Sequence, residues 1–127
     1  MMSGHQGTMG GIETIIKELE ERYEYDIKGR ITGVRGEGIL PRFVLGRAAE
    51  GCVWRFGANL DPERLMAVAR LAGRESGFPI AGEKPGLPPE RLAAIVRLLS
   101  VEGVDVEARR ETLTRDGVEI AELWTIE

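Results

Sequence analysis

The sequence is poor in the side chains that build disulfides, metal centres and nucleophilic active sites. Its 127 residues include one cysteine, Cys52, and one histidine, His5. A single cysteine excludes an internal disulfide and agrees with a reducing compartment. His5 lies in a Gly-rich leader, where no partner residues are held at the fixed geometry that a metal ion needs. We therefore expect no metal centre and no catalytic residues that can be named.

Long apolar runs and a strong charge of one sign are also missing. No stretch approaches the roughly 18 apolar residues of a membrane-spanning helix, and the N-terminus lacks the basic-then-apolar order of a secretory signal. The net charge is −4, with Lys and Arg scattered along the chain. Because phosphate neutralisation dominates nucleic-acid binding, this balance disfavours a nucleic-acid partner. The sequence predicts a cytoplasmic protein that contacts neither membrane nor nucleic acid.

The helical patterns are clear. Residues 1–10 are small and polar and predict a flexible leader, followed by one domain over residues 11–127. From Ile12 to about Arg22, apolar residues recur at helical spacing, which predicts an amphipathic helix. Two further helices are expected after Leu60 and after Leu87, each with proline in its first turn. Asp61 is the expected N-cap of the first of these two helices.

The strand patterns predict three hairpins. Residues 23–34 alternate around a Lys28-Gly29 turn, residues 43–56 form a second pair, and residues 104–126 turn at Asp116-Gly117, the strongest short turn signal in the chain. We therefore expect an α+β domain: a mostly antiparallel sheet of about six strands, with three helices packed on one face.

The central hairpin can be given a register. With residues 48–51 as its loop and Gly51 at positive φ, Arg47 lies opposite Cys52. Leu45 then lies opposite Trp54. One face becomes an apolar cluster suited to a core, made of Phe43, Leu45, Cys52, Trp54 and Phe56. The other face should be wetter and carries Arg42, Val44, Val53 and Arg55; together with an exposed strand edge it makes a homodimer plausible.

Arg47 shares the apolar face, so it must lie at the end of the sheet or meet a carboxylate or a ligand anion. An edge arginine stacked on an aromatic ring and a ligand anchor both stay open. The candidate ligand-binding residues are Arg47, Trp54, Arg42 and Arg55.

The segment "RGEG", residues 35–38, invites comparison with the loop that holds the pyrophosphate of acetyl-CoA in GNAT-type acetyltransferases. Such a loop runs from a strand into a helix and uses backbone N–H groups. Here Leu40 and Pro41 follow, the next residues have strand character, and Glu37 would repel phosphate. We expect a connection between hairpins and no cofactor.

A wider pattern carries a family resemblance. The stretch from "YDIKGRITGV" through "PRFVLGR" and "CVWRF" to "LDPERL" resembles the N-terminal accessory region of bacterial GNAT-type acetyltransferases over about residues 19–100. The matching residues are Asp26, Gly29, Arg30, Pro41, Arg42, Phe43, Leu45, Gly46, Arg47, Trp54, Arg55, Phe56, Leu60 and Pro62.

The resemblance implies a non-catalytic recognition or interaction module, without the acetyltransferase domain and with a separately encoded acetyltransferase or another protein as candidate partner. A second hypothesis is a sensor for a small anionic ligand, since "YDIKGRITGV" also resembles the opening of PAS-type sensory domains. A third is a small enzyme with carboxylate chemistry that leaves little trace in the sequence.

Overall fold

The structure is a computed structural model that describes residues 10–58, 60–75, 89–100 and 106–127. These contain three helices and six strands: α1 (Gly11–Arg22), β1 (Tyr23–Tyr25), β2 (Ile31–Val34), β3 (Phe43–Ala48), β4 (Gly51–Phe56), α2 (Pro62–Ala72), α3 (Leu92–Leu99), β5 (Ala108–Arg115) and β6 (Val118–Ile126). The α+β class is confirmed. The leader up to residue 9 lies outside the described residues.

The strands form two sheets, not one. A four-stranded antiparallel sheet has the order β4-β3-β6-β5, and β1 pairs with β2 in a separate hairpin. The expected single sheet is wrong: β1 and β2 pair with each other, while β3 has β4 and β6 on its two edges. The small hairpin meets the larger sheet through one parallel bridge, between Ile31 and Gly57.

Helices cover both faces of the four-stranded sheet. On one face, Ile15 and Leu19 of α1 pack in a cluster with Val44 and Leu123. The expectation that helices cover only one face is therefore wrong. The expectation that the face with Val44 is the wetter one is also wrong, since Val44 is 0% exposed. The physical reason is that all six residues of β3 are buried, so this central strand needs cover on both sides.

Gly46 explains how α1 approaches so closely. A Cβ atom at this position would lie 2.6 Å from Cγ2 of Ile15, so only glycine leaves the room that the helix needs. The helix is held at its ends by side chains from elsewhere. Glu50 accepts a hydrogen bond from the backbone N–H of Ile12 at 2.9 Å, and Arg22 forms a bidentate pair with Glu111 of β5, with both distances 2.8 Å.

The opposite face carries α2 and α3. Its core joins Phe43, Leu45, Trp124 and Ile126 of the sheet to helix residues that include Val68 and Ile95. Asp61 caps α2 as expected, accepting from the backbone N–H of Arg64 at 2.9 Å. Helix α3 begins at Leu92, later than its sequence predicts. Among the described residues no helix is both long enough and apolar enough to cross a membrane.

The β5–β6 hairpin has the predicted turn, and the β3–β4 hairpin has the predicted register with a shorter loop: Ala48 pairs with Gly51, so the loop is residues 49–50 and not the expected 48–51. In β3–β4 the pairs Leu45–Trp54 and Arg47–Cys52 are confirmed, and Gly51 has φ +143°. In β5–β6 the turn residues Asp116 and Gly117 have φ values of 52° and 80°, as a two-residue type I′ turn requires.

Candidate functional site

The register of β3 and β4 places the four candidate ligand-binding residues in three different environments. Arg47 lies on the central strand β3, under the face that α2 and α3 cover. Trp54 and Arg55 lie on β4, the outermost strand; their side chains leave opposite faces of it, but both residues border one cleft at the edge of the sheet. Arg42 precedes β3. The structure therefore brings Trp54 and Arg55 to one place and leaves Arg42 and Arg47 elsewhere.

Arg47 forms a buried ion pair. Its Nε atom donates to Oε2 of Glu122 at 2.7 Å, and the two side chains are 1% and 0% exposed. The pair arises because β3 and β6 are neighbours with Arg47 directly opposite Glu122. The sequence allowed Arg47 a place at the end of the sheet, a carboxylate partner or a ligand anion. The structure shows the carboxylate partner, Glu122.

Glu122 is the centre of a larger network. The indole Nε1 of Trp124 also donates to its Oε2, at 2.7 Å, and Nε of Arg110 donates to its Oε1 at 2.9 Å. A buried carboxylate is tolerated only when it is paired and hydrogen-bonded, and three donors meet that need. The network joins β3, β5 and β6 and fixes their register.

Arg42 has a structural role. Its Nε donates to the backbone oxygen of Glu127 at 2.9 Å, and its Nη1 donates to the backbone oxygen of Leu99 at 3.1 Å. The guanidinium therefore links the start of β3 to the end of α3 and to the residue after β6. The Arg42 guanidinium is therefore occupied by contacts within the fold.

An open cleft of about 620 Å³ lies beside the outer strand β4. Residues 28–30 of the β1–β2 turn form one bank and α2 forms the other, with residues 54–56 of β4 between them. The lining from α2 is apolar and consists of Pro62, Leu65 and Met66. The cleft thus has the size and mixed lining typical of a binding site for a small group.

The cations of the cleft are not all neutralised. Arg30 pairs with Asp26 through its Nε at 3.2 Å. Lys28 and Arg55 make no ion pair with any residue in the described part of the chain. Arg55 donates only to the backbone oxygen of Trp54, at 2.9 Å. Two positive side chains in one concavity favour an anionic occupant.

The turn that carries Lys28 is closed by side-chain hydrogen bonds. Oδ1 of Asp26 accepts from the backbone N–H groups of Lys28 and Arg30, each at 2.9 Å, and Gly29 adopts φ +80°. These hydrogen bonds, first among them the one from the Arg30 backbone, lower the pKa of Asp26. Asp26 therefore stays ionised at neutral pH and keeps both backbone hydrogen bonds that close the turn.

The apolar part of the cleft is anchored in the core. The ring of Phe56 packs against Phe43 with centroids 5.4 Å apart, and Trp54 is half-buried against the cluster under α2. Rings that are fixed from behind present a flat apolar surface at little cost in conformational entropy. The cleft can hold an apolar or aromatic group beside an anionic one.

The described residues show no nucleophilic or metal chemistry at this cleft. Burial raises the pKa of the Cys52 thiol to about 11, and its Sγ lies 3.6 Å from the backbone oxygen of Glu75. Within residues 10–58, 60–75, 89–100 and 106–127, no three His, Cys, Asp or Glu side chains are grouped to hold a metal ion. The segment 35–38 leads into β3 and not into a helix.

Sequence reasoning missed Lys28 and Arg30 as cleft residues and Glu122 as the partner of Arg47. The turn at Lys28-Gly29 was predictable, but its position beside β4 depends on long-range packing. A signal for Glu122 was present, because it interrupts the apolar series of β6 two residues before Trp124 and so points to the same face.

Comparisons of the chain with protein families, with curated proteins and with solved structures find no match. The resemblance to the accessory region of acetyltransferases therefore stays a prediction.

Proposed function

We propose that the protein is a non-catalytic recognition module that binds an anionic group joined to an apolar or aromatic group. The site is the cleft between the β1–β2 turn, β4 and α2. One observation carries the proposal: Lys28 and Arg55, without ion-pair partners in the described part of the chain, line the same cleft as Trp54 and Phe56.

The two kinds of lining supply different parts of the affinity. Burying an apolar group against the rings contributes roughly 25 cal/mol per Å² of apolar surface removed from water. The cations speed the encounter with an anion and orient it, because neither the Lys28 nor the Arg55 side chain forms an ion pair with a carboxylate of the described residues. A neutral apolar molecule would gain only the first contribution.

The proposal unites two hypotheses from the sequence, the interaction module and the sensor for an anionic ligand. Both require a charged recognition surface, and Trp54 and Arg55 belong to it. The acetyltransferase partner is a further proposal, which the family resemblance supports.

The proposal is tested with two fluorescent probes that share a ring system. Anilinonaphthalene sulfonate carries a negative charge, and phenylnaphthylamine does not. The test variant is Lys28→Gln with Arg55→Gln. The matched control is Lys17→Gln with Arg97→Gln, two exposed cations on α1 and α3 that do not line the cleft. Circular dichroism checks that all variants are folded.

We expect saturable binding of the sulfonate that the cleft variant weakens on the order of tenfold. The control variant should leave it unchanged, and binding of the neutral probe should not respond to either pair. Equal weakening by both pairs, or no preference for the charged probe, would overturn the proposal. A parallel calorimetric titration with acetyl-CoA, with CoA as its control, tests an acyl thioester as the ligand.

A further inference from the structure

The banks of the cleft carry apolar side chains that face water. Ile27, the residue before Lys28 in the turn, is 101% exposed, and Met66 of α2 is 61% exposed. Met66 lines the cleft directly, whereas Ile27 lies beyond its lining. The exposed apolar surface therefore extends past the volume that a small molecule would fill.

The exposure of Ile27 is built into the turn. Asp26 accepts from the backbone N–H groups of Lys28 and Arg30, each at 2.9 Å, so the loop cannot fold its tip inward without losing both hydrogen bonds. A molecule that covers Ile27 would remove its apolar surface from water and gain affinity from that burial. Lys28 follows immediately, so the same molecule meets a cation there.

We infer that the occupant of the cleft is an acidic peptide segment of a partner protein, with apolar side chains that cover Ile27 and Met66. The inference rests on the proposed function and deepens it by naming the partner's chemistry. Charge complementarity carries the choice, because the cations Lys28 and Arg55 lack ion-pair partners in the described part of the chain. A peptide also reaches Ile27, which lies beyond the lining of the cleft.

A membrane surface fits the geometry less well. The cations line a concavity between a turn and a helix, and a flat bilayer surface would contact the banks without reaching Arg55 on β4. An extended segment can enter the concavity and place an acidic side chain against each cation.

The experiment selects binders from a random peptide library displayed on phage, with the full chain immobilised, and measures labelled peptides by fluorescence anisotropy. Two variants distinguish a peptide that covers Ile27 from a ligand that stays within the cleft. Ile27→Ser removes an exposed side chain that does not line the cleft. Val118→Ser is its matched control, since Val118 is 62% exposed at the β5–β6 turn.

We expect enriched peptides that combine acidic with apolar residues and whose binding weakens with added salt. Their affinity should fall about tenfold in Ile27→Ser and in the Lys28→Gln, Arg55→Gln variant, and stay unchanged in Val118→Ser. Binding of anilinonaphthalene sulfonate should not respond to Ile27→Ser, because that probe fits within the cleft.

The failures are distinguishable. Binding of the sulfonate probe without acidic peptides in the selection would overturn this inference and leave the proposed function standing. If the protein binds neither the sulfonate probe nor acidic peptides, both this inference and the proposed function are overturned. Peptide binding that ignores Ile27→Ser, or tighter Ile27-dependent binding to phosphatidylserine vesicles than to any selected peptide, would also refute the peptide as occupant.

Discussion

Replacing Glu122 with Gln should destabilise the fold more than the same change at Glu119, the other carboxylate of β6. Glu122 is 0% exposed and accepts from Arg47, Trp124 and Arg110. The amide keeps the shape but removes the negative charge, and its NH₂ group faces donors that need an acceptor. Removing one partner of a buried ion pair costs about 3–5 kcal/mol. Because small domains are stable by only about 5–15 kcal/mol, this is a large fraction of the total.

The measurement is equilibrium unfolding in urea followed by circular dichroism. With a slope of about 1.5 kcal/mol per molar urea, a loss of about 3 kcal/mol lowers the midpoint by about 2 M. Glu119→Gln is the matched control, because Glu119 lies on the same strand, is 44% exposed and is 3.9 Å from Arg110. Its loss should stay below about 1 kcal/mol. Equal midpoints for the two variants would refute the reasoning that the buried network holds the sheet.

Other predictions concern packing, reactivity and pH. Gly46→Ala should cost about 1–3 kcal/mol in the same urea assay, because the new Cβ would meet Ile15 at 2.6 Å; an unchanged midpoint would contradict the close packing of α1. Alkylation of Cys52 by iodoacetamide at mildly alkaline pH should be on the order of a hundredfold slower in the folded protein than in urea, since its pKa of about 11 leaves little thiolate. The Arg22 hydrogen bond lowers the pKa of Glu111 below its ordinary 4.5. The stabilisation from Glu111 is therefore complete above that value and lost as pH falls through the lowered pKa. Glu111→Gln should remove about 0.5–1 kcal/mol at neutral pH and flatten this acid dependence, measured by urea midpoints across pH.

Local chemistry made much of the fold predictable. The register of β3 and β4 followed from centring the turn between Ala48 and Gly51, and the β5–β6 turn followed from Asp116-Gly117, because both depend on residues close in sequence. The cap at Asp61 followed from the same kind of evidence. These features need no knowledge of which strands meet across the sheet.

Apart from the later start of α3 at Leu92, the main errors involve contacts between residues far apart in sequence. The wetter face was assigned to Val44 because the hairpin alone gives no sign that α1 covers it. The alternation within β3 identifies two sets of side chains but does not say what packs on each set. Gly46, which leaves room for Ile15, looks in the sequence only like an unfavourable strand residue. Likewise, the partner of Arg47 lies 75 residues away, on a strand whose register the sequence left open.

Two arginines of one hairpin show how position in the sheet decides the environment of a charged side chain. Arg47 lies on β3, which has a neighbour on each edge, and one neighbour supplies Glu122 as a buried counter-charge. Arg55 lies on β4, the outermost strand, where no carboxylate of the described chain reaches it. Burial without a partner is too costly for a cation, so the inner arginine must be neutralised within the fold. The outer one remains in contact with solvent and keeps its charge available for a ligand, which is why we propose the edge of the sheet as the recognition site.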